Sequence, residues 1–174
     1  MLSVVIPALN SASTISYTLS SIFSNEFPKE LFEVLVIDNG SFDETIEIAK
    51  RYPVRIFRCP RRGIGPPRNL GIKMAKGSIV CFTDADCVVE NKWLKKIFTF
   101  FKESPEIDGI GGPVLPYPFS QNNIQKLTGD IFMQEQMYPS DETLVKFGSL
   151  RGLLFGANSA YRKNALMSVG GFPE

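Results

Sequence analysis

Four short apolar runs, each followed by a helix-like segment, constrain the fold of this chain more than any other feature. Residues 4–6, 34–37, 54–57 and 78–82 are rich in Val, Ile and Phe. The segments that follow them, residues 13–23, 41–51, 68–76 and 91–102, have helical patterning, and Ser41 and Glu44 have capping-box spacing. Because continuous apolar strands that alternate with helices are typical of a parallel sheet covered on both faces, we predict an α/β fold with a doubly wound, mostly parallel sheet.

The second half of the chain has a looser pattern. We predict a strand with a loop over residues 110–118, a helix over 124–137, a strand over 153–161 and a short helix over 163–169. A chain of 174 residues is long enough for one domain with a good-sized core but hardly for two. We therefore expect residues 1–174 to form a single domain.

Composition excludes several classes of function. The chain has no histidine, which rules out Ser-His-Asp and Cys-His catalytic units and any histidine-ligated metal. With 19 basic and 18 acidic residues it has no general attraction to nucleic acid, so we expect no nucleic-acid partner. The three cysteines, Cys59, Cys81 and Cys87, match no zinc-site spacing and indicate reduced thiols, as in a cytoplasmic protein. No apolar run approaches the ~18 residues that span a bilayer.

Polar side chains follow three of the predicted strands, at the edge of an open parallel sheet where ligands bind. The first strand is followed by Pro7, Ala8, Leu9 and Asn10, the second by Asp38 and Asn39, and the fourth by Thr83, Asp84, Ala85 and Asp86. Asp84 and Asp86 leave an extended strand two residues apart, so both carboxylates can face one cation. Oxygen ligands without histidine or thiolate suit Mg²⁺ or Mn²⁺ shared with a substrate diphosphate. The alternative is a solvated turn or a cap for the helix near Asn91, and the position at the end of a buried strand favours the metal.

Asp38 allows two interpretations that the sequence alone leaves open. It caps the turn before the second helix, as Asx residues often do, or it accepts a hydrogen bond from a nucleobase or a ribose hydroxyl. Asp43, five residues later, is interpreted as an acidic residue favoured by the helix dipole at a helix start.

An arginine-rich loop follows the third strand. Residues 58–68 contain four arginines together with glycines and prolines. Arginine forks suit phosphate oxygens, and Arg68 stands at a predicted helix start, where an anion is favoured. We therefore favour a phosphate contact for Arg68 and a solvated surface for Arg61 and Arg62.

Several motifs together resemble the family 2 inverting glycosyltransferases of the GT-A fold, and the likeness extends over nearly the whole chain. The matching segments, in chain order, are VVIPALN at 4–10, VIDNGSFDET at 36–45, RNLG at 68–71, AKG at 75–77, TDAD at 83–86, GANSAYR at 156–162 and GGFPE at 170–174. Two departures stand out, since Asn39 replaces the second aspartate of the family's V-D-D-G-S motif and Pro67 stands where alanine is usual.

The resemblance implies a role for each matching residue. Asp38, with Pro7, Ala8 and Asn10, would hold the nucleobase, usually uracil, with Asn39 beside it. Arg68 would contact the diphosphate, and Asp84 with Ala85 would lie near the ribose or sugar. Asp86 would coordinate Mn²⁺ or Mg²⁺, with Asp84 as a second candidate ligand.

The resemblance also implies a reaction and its partners. An acceptor hydroxyl, deprotonated by a carboxylate base, would displace the nucleoside diphosphate and invert the anomeric carbon. Residues 1–107 would form the nucleotide-binding half and residues 108–174 the start of an acceptor-side half. The partners would be a nucleotide-sugar donor, here a UDP-sugar, and a saccharide or lipid-linked acceptor. Family members often act at the inner face of the membrane, and membrane association would come from parts outside this chain.

The catalytic base is expected beyond Glu174. In this family the base usually belongs to an acidic motif some way after the G-G-F-x-E stretch, so we expect the chain to be truncated and poorly active by itself. Glu174, Asp130 and Glu135 are weaker alternatives. Two rival functions stay open, a sugar-1-phosphate nucleotidyltransferase and a non-catalytic nucleotide-binding module. The first is disfavoured because residues 7–13 contain no glycine and no basic residue.

Overall fold

The computed structural model describes residues 1–114, 143–145 and 156–173. Its elements, in chain order, are β1 (Leu2–Ala8), α1 (Ile15–Phe23), a 3₁₀ turn (Lys29–Leu31), β2 (Phe32–Asp38), α2 (Thr45–Ala49), β3 (Arg55–Arg58), α3 (Gly65–Met74), β4 (Ile79–Phe82), α4 (Trp93–Glu103), β5 (Gly109–Gly111), β6 (Thr143–Val145), β7 (Ser159–Arg162) and α5 (Lys163–Ser168).

One mixed sheet organises these elements, with the strand order β3-β2-β1-β4-β7-β5-β6. The first four strands along the chain are parallel to one another, and the pairs that involve β5, β6 and β7 are antiparallel. All four predicted parallel strands are present. The prediction of a mostly parallel α/β sheet is therefore confirmed for the first half of the chain, and the second half adds the antiparallel strands.

The sheet has an apolar cluster on each face, which is the doubly wound arrangement that the sequence predicted. On one face, Val4 and Ile6 of β1 pack with α1 and α4 through residues such as Leu19 and Leu94. On the other face, Val5 packs with α3 and α5. Side chains alternate along a strand, so β1 serves both clusters and is buried over nearly its whole length.

Three elements begin more than two residues away from the predicted position. Helix α3 begins at Gly65 rather than at residue 68, because proline is tolerated in the first turn, where its missing N–H costs no hydrogen bond. The predicted capping box at Ser41 is wrong: α2 begins at Thr45, and Glu44 precedes it without a side-chain cap. Strand β7 begins at Ser159 rather than at 153. The predicted helix over 124–137 lies outside the described residues.

Among the described helices, none combines the length and the hydropathy that a bilayer span requires.

Candidate functional site

The ends of β1 and β2 lie side by side and begin the candidate site. Ala8 is paired with Asp38, the last residue of β2, and the Asn39 N–H donates to the Ala8 carbonyl at 2.9 Å. Asp38 is buried, and its Oδ1 accepts the Ser41 N–H at 2.8 Å. The turn-capping interpretation of Asp38 is therefore correct for this oxygen. The described residues supply no donor to its Oδ2, which leaves one carboxylate oxygen for a ligand.

The loop after β1 lies against the loop after β2. Asn10 adopts a left-handed backbone with φ of 51°, which Asn tolerates better than most residues. Its N–H donates to Ser41 Oγ at 3.0 Å, and its side-chain Oδ1 accepts the Phe42 N–H at 3.1 Å. Pro7 is half-buried, whereas Leu9 and Asn10 are exposed. The segment from Pro7 to Asn10 thus forms a fixed, accessible wall beside Asp38.

Asn39 anchors the arginine-rich loop. Its Nδ2 donates to the carbonyls of Cys59 at 3.3 Å and Arg61 at 2.7 Å. A carboxylate cannot donate to a carbonyl, so the replacement of the family's second aspartate by Asn39 has a structural reason in this chain. Arg58, Arg61 and Arg62 are exposed on this loop.

Arg68 and Asp84 form an ion pair in which the arginine is buried and the aspartate is partly exposed. Arg68 Nη2 lies 2.8 Å from Asp84 Oδ1, and Nη1 donates to the Ile64 carbonyl at 3.0 Å. The Arg68 side chain is 10% exposed and that of Asp84 is 38% exposed. A Cβ on Gly156 would lie 2.6 Å from Arg68 Nη2, so this glycine leaves the space that the guanidinium occupies. Arg68 is therefore directed at Asp84 rather than outward.

Asp86 presents the second carboxylate after β4. It is exposed, and Cys87 Sγ lies 3.7 Å from its Oδ1. Burial raises the pKa of Asp84 above its ordinary value, the Arg68 charge opposes that shift, and the Asp86 charge adds to it. The two carboxylates therefore repel each other, and a cation placed between them would relieve this repulsion. Ala85 between them is buried against the α1–α4 side of the sheet.

The two carboxylates of Asp84 and Asp86 fit a divalent cation that takes some of its ligands from the protein and the others from a substrate. Among the described residues, no group of three or more His, Cys, Asp and Glu side chains is arranged to hold a metal by itself. Mg²⁺ is usually bound by one or two carboxylates, with phosphates and waters completing the shell. Asp86 and Asp84 match that pattern.

Sequence reasoning missed two features of the site. Asp43, interpreted as a helix-start charge, does accept the N–H of Thr45, the first residue of α2, through Oδ1 at 3.0 Å, but it also accepts the Ala12 N–H of another loop through Oδ2 at 3.0 Å. Gly156 was recognised only as a motif residue, although it makes room for Arg68. For Asp43, the available signal in the sequence was that Ser41, Asp43 and Thr45 are three hydrogen-bonding residues spaced two apart. The second depends on a contact that no local pattern reveals.

A family model and curated relatives match this chain. The model described as Glycosyl transferase family 2 matches residues 3–170. The chain is 31% identical to Glycosyltransferase AglE of Haloferax volcanii over an alignment of 179 residues, and this alignment covers 99% of this chain and 56% of that protein. It is 30% identical over 138 residues to the poly(ribitol-phosphate) beta-N-acetylglucosaminyltransferase TarS of Staphylococcus aureus, covering 72% of this chain and 24% of that protein. The chain thus spans only part of the length of either relative.

Solved structures have the same fold. The crystal structure of S. aureus TarS 1-349 in complex with UDP-GlcNAc matches with a TM-score of 0.69 at 25% identity, covering 99% of this chain and 48% of that chain. The mannosyltransferase PcManGT from Pyrobaculum calidifontis in complex with GDP-Man and Mn²⁺ matches with a TM-score of 0.70 at 22% identity, covering 99% of this chain and 47% of that chain. The second likeness concerns the fold alone.

Proposed function

This chain belongs to glycosyl transferase family 2, and from that premise we propose that it binds a nucleoside diphosphate sugar at the carboxyl ends of β1, β2 and β4. The proposal extends to the longer protein that its relatives represent, which would transfer the sugar to an acceptor hydroxyl with inversion. UDP is the proposed nucleotide, and a TarS structure in complex with UDP-GlcNAc is among the structural matches.

One observation carries the proposal: three kinds of group that a sugar nucleotide requires meet at one edge of the sheet. Asp38 offers a buried acceptor oxygen beside an accessible loop. Asp86 offers an exposed carboxylate for a cation, and Asp84, two residues earlier, forms a fixed ion pair with Arg68. Ligands of open α/β sheets bind at this edge, which supports the assignment.

Asp38 is proposed to bind the nucleobase. Its Oδ1 is already used by the Ser41 N–H, so Oδ2 would accept an N–H of the base. Because the carboxylate is buried, this bond would discriminate well between nucleobases: a base without the matching N–H donor would leave Oδ2 unpaired. Pro7, Ala8 and Asn10 would form the wall against which the base lies.

Asp86 is proposed to hold Mn²⁺ or Mg²⁺, with Asp84 as its second ligand. When bound, the cation would stabilise the negative charge of the departing nucleoside diphosphate. Arg68 would then have two functions. It holds Asp84 in place through the 2.8 Å contact, and its positive charge favours the diphosphate nearby. The phosphate contact predicted for Arg68 stays a prediction.

The transfer step needs groups on both sides of the sugar. The acceptor oxygen would form a bond to the anomeric carbon as the bond to the diphosphate oxygen breaks, and the acceptor proton would pass to a carboxylate base. That the base lies beyond Glu174 stays a prediction, and the alternatives Asp130, Glu135 and Glu174 lie outside the described residues. The division into a nucleotide-binding half and an acceptor-side half, a saccharide or lipid-linked acceptor, and action at the inner membrane face are likewise proposals.

Family membership favours glycosyl transfer over the two rival functions. A nucleotidyltransferase would be expected to have a glycine-rich basic loop after β1, where this chain has a loop tied to Ser41 and Asp43. A non-catalytic module would bind the nucleotide without turnover, so an assay of sugar transfer in the longer protein separates it from an enzyme.

Calorimetric titration of the chain with UDP, and with GDP for comparison, tests the proposed site. We expect UDP to bind more tightly with Mn²⁺ than without it. Asp86→Asn should remove most of the gain from Mn²⁺, at least about tenfold, without a change in melting temperature because the side chain is exposed. Glu90→Gln, which removes an exposed carboxylate four residues later, is the matched control and should bind like the wild type.

Two results would overturn the proposal. The nucleotide assignment fails if the wild type binds neither UDP nor GDP with Mn²⁺ present. The metal assignment fails if Asp86→Asn keeps the full Mn²⁺ dependence of the wild type.

A further inference from the structure

Ser41 and Asp43 of the β2–α2 loop, together with Thr45 at the start of α2, accept hydrogen bonds from three consecutive backbone N–H groups of the β1–α1 loop. Ser41 Oγ accepts from Asn10 at 3.0 Å, Thr45 Oγ1 accepts from Ser11 at 2.7 Å, and Asp43 Oδ2 accepts from Ala12 at 3.0 Å. We name Ser41, Asp43 and Thr45 the loop clamp. Backbone N–H groups of a surface loop are usually satisfied by water or by their own loop, so this arrangement is a specific interlock.

The loop clamp is itself held by internal hydrogen bonds. Thr45 donates its hydroxyl to Asp43 Oδ1, and the Thr45 N–H donates to the same oxygen. Thr45 is fully buried. The hydrogen bonds lower the pKa of Asp43: the Thr45 hydroxyl contributes most, burial opposes it, and the Ala12 and Thr45 N–H groups add to the lowering. The acceptor oxygens of Asp43 and Thr45 are therefore held in place by bonds within the clamp.

The clamp connects both proposed nucleobase contacts. The Ser41 N–H donates to Asp38 Oδ1 at 2.8 Å, while the Ser41 hydroxyl accepts from Asn10. The Phe42 N–H completes the link by donating to Asn10 Oδ1 at 3.1 Å. Asp38 and the segment that ends at Asn10 are thus held in one hydrogen-bonded unit, in which Asn10 keeps its left-handed backbone.

We infer that Ser41, Asp43 and Thr45 are positioning residues that set the nucleobase subsite by fixing the β1–α1 loop against Asp38. The inference rests on the proposed function, because it concerns how that same site recognises its nucleotide. None of the three side chains needs to touch the donor. Their effect passes through Asn10, Ser11 and Ala12, whose backbone they hold.

The chemistry of the clamp limits which substitutions can replace its members. Asp43 accepts hydrogen bonds with both oxygens, so Asn would present an NH₂ group to one of two N–H donors. Thr45 both accepts and donates, so Val keeps its shape but loses both bonds, whereas Ser keeps them. Asp43→Asn and Thr45→Val are therefore the disruptive variants, Thr45→Ser is the conservative one, and Glu44→Gln is a control for the loss of a neighbouring exposed charge.

The test compares a ligand that has a base with one that has none. Each variant is titrated with UDP and with inorganic pyrophosphate, both in the presence of Mn²⁺. We expect Asp43→Asn and Thr45→Val to bind UDP about tenfold more weakly and pyrophosphate as the wild type does. Thr45→Ser and Glu44→Gln should retain UDP binding. Ser41→Ala, at a half-buried position, serves if the Thr45→Val protein does not fold.

The outcomes separate this inference from the proposed function. If the wild type binds pyrophosphate and UDP equally, or binds neither, the nucleoside site is absent and both proposals fail. If the wild type prefers UDP and Thr45→Val or Ser41→Ala keeps that preference, the clamp is only structural and the positioning role alone is overturned. An equal weakening of UDP and pyrophosphate binding would also overturn it, because the effect would not be confined to the base.

Discussion

Arg68 is a charged residue whose position depends closely on its neighbours. Its guanidinium is enclosed by Asp84, the Ile64 carbonyl and the backbone at Gly156, and it has little space to move. If this pair is broken, the Arg68 charge is left poorly solvated. The free energy lost in this way is larger than the free energy that an ion pair contributes at a solvated surface. At residue scale, Gly156 is therefore as much a part of the site as the charged groups.

We predict that Gly156→Ala weakens nucleotide binding by displacing Arg68. The added Cβ would lie 2.6 Å from Nη2, so the guanidinium must move away from Asp84. Because Asp84 is more than a third exposed, we expect a loss of only about 1 kcal/mol, roughly fivefold in the Kd of UDP with Mn²⁺. A double-mutant cycle with Arg68→Met checks the cause. If Gly156→Ala weakens binding further in the Arg68→Met background, the glycine does not act through Arg68.

Residue types and strand ends were enough to predict which side chains share this edge of the sheet, but not how those side chains divide their contacts. Asp38, Asp84 and Asp86 follow strands whose apolar runs are plain in the sequence, so their common edge was predictable. The partners of Asn39 and Asp43 lie on other loops, at sequence separations of 20 to 31 residues. Local patterning carries no information about such pairs, and Asp43 was consequently assigned to its own helix.

At the scale of elements, the contact between α3 and β1 brings Arg68 to the site. Gly71 lies one turn after Arg68 and faces Val5 in the middle of β1. A Cβ at this position would lie 2.2 Å from Val5 Cγ1. The absence of a side chain thus lets the helix pack close to β1. The distance between α3 and β1 in turn determines how far Arg68 reaches toward Asp84.

We predict that Gly71→Ala destabilises the fold although alanine favours helices. The overpacking should cost about 1–3 kcal/mol, more than the ~1 kcal/mol that Ala gains over Gly in a helix. Urea denaturation measures the free energy of unfolding, and Lys73→Ala, at an exposed position of the same helix, is the control. A Gly71→Ala protein as stable as the wild type would mean that α3 can shift outward without loss.

The strands were predictable from their continuous apolar runs, whereas the first residues of two helices were not. The apolar runs of β1, β2 and β4 located the strands to within one or two residues. The start of α3 was missed because Pro66 and Pro67 were interpreted as loop residues, although proline suits a first helical turn. The start of α2 was missed because Ser41 uses its hydroxyl as an acceptor for Asn10 instead of capping a helix.

At the scale of the whole molecule, the residues at the carboxyl ends of the parallel strands and those at the amino ends have different roles. The carboxyl ends of the strands carry Asp38, Asp84 and Asp86. Near the opposite edge, Glu33 at the start of β2 connects neighbouring elements. Its Oε1 accepts the Ser3 hydroxyl at 2.7 Å and the Lys76 N–H at 2.6 Å, and its Oε2 lies 2.7 Å from Arg55 Nη1. Glu33 therefore joins β1, β3 and the turn before β4 without taking part in the proposed site.

Glu33 should make stability depend on pH while leaving ligand binding unchanged. Burial raises the pKa of Glu33, but the hydrogen bonds from Lys76, Ser3 and Arg55 together outweigh it, so the pKa lies below its ordinary value of 4.5. A carboxyl whose pKa is depressed on folding stabilises the fold above its ordinary pKa, and this contribution is lost as the pH falls through the folded value.

We therefore predict that Glu33→Gln lowers the free energy of unfolding at pH 7 by about 1–2 kcal/mol, since Gln presents an NH₂ group to Arg55. The difference from the wild type should shrink as the pH falls from 4.5 through the lower pKa of Glu33 in the folded protein, where the folded carboxylate becomes protonated. Chemical denaturation across this range measures the effect, and Glu30→Gln, at an exposed position three residues earlier, is the control. The Kd of UDP with Mn²⁺ at pH 7 should stay at the wild-type value. A variant that loses UDP binding while still folded would show that the two edges of the sheet are coupled.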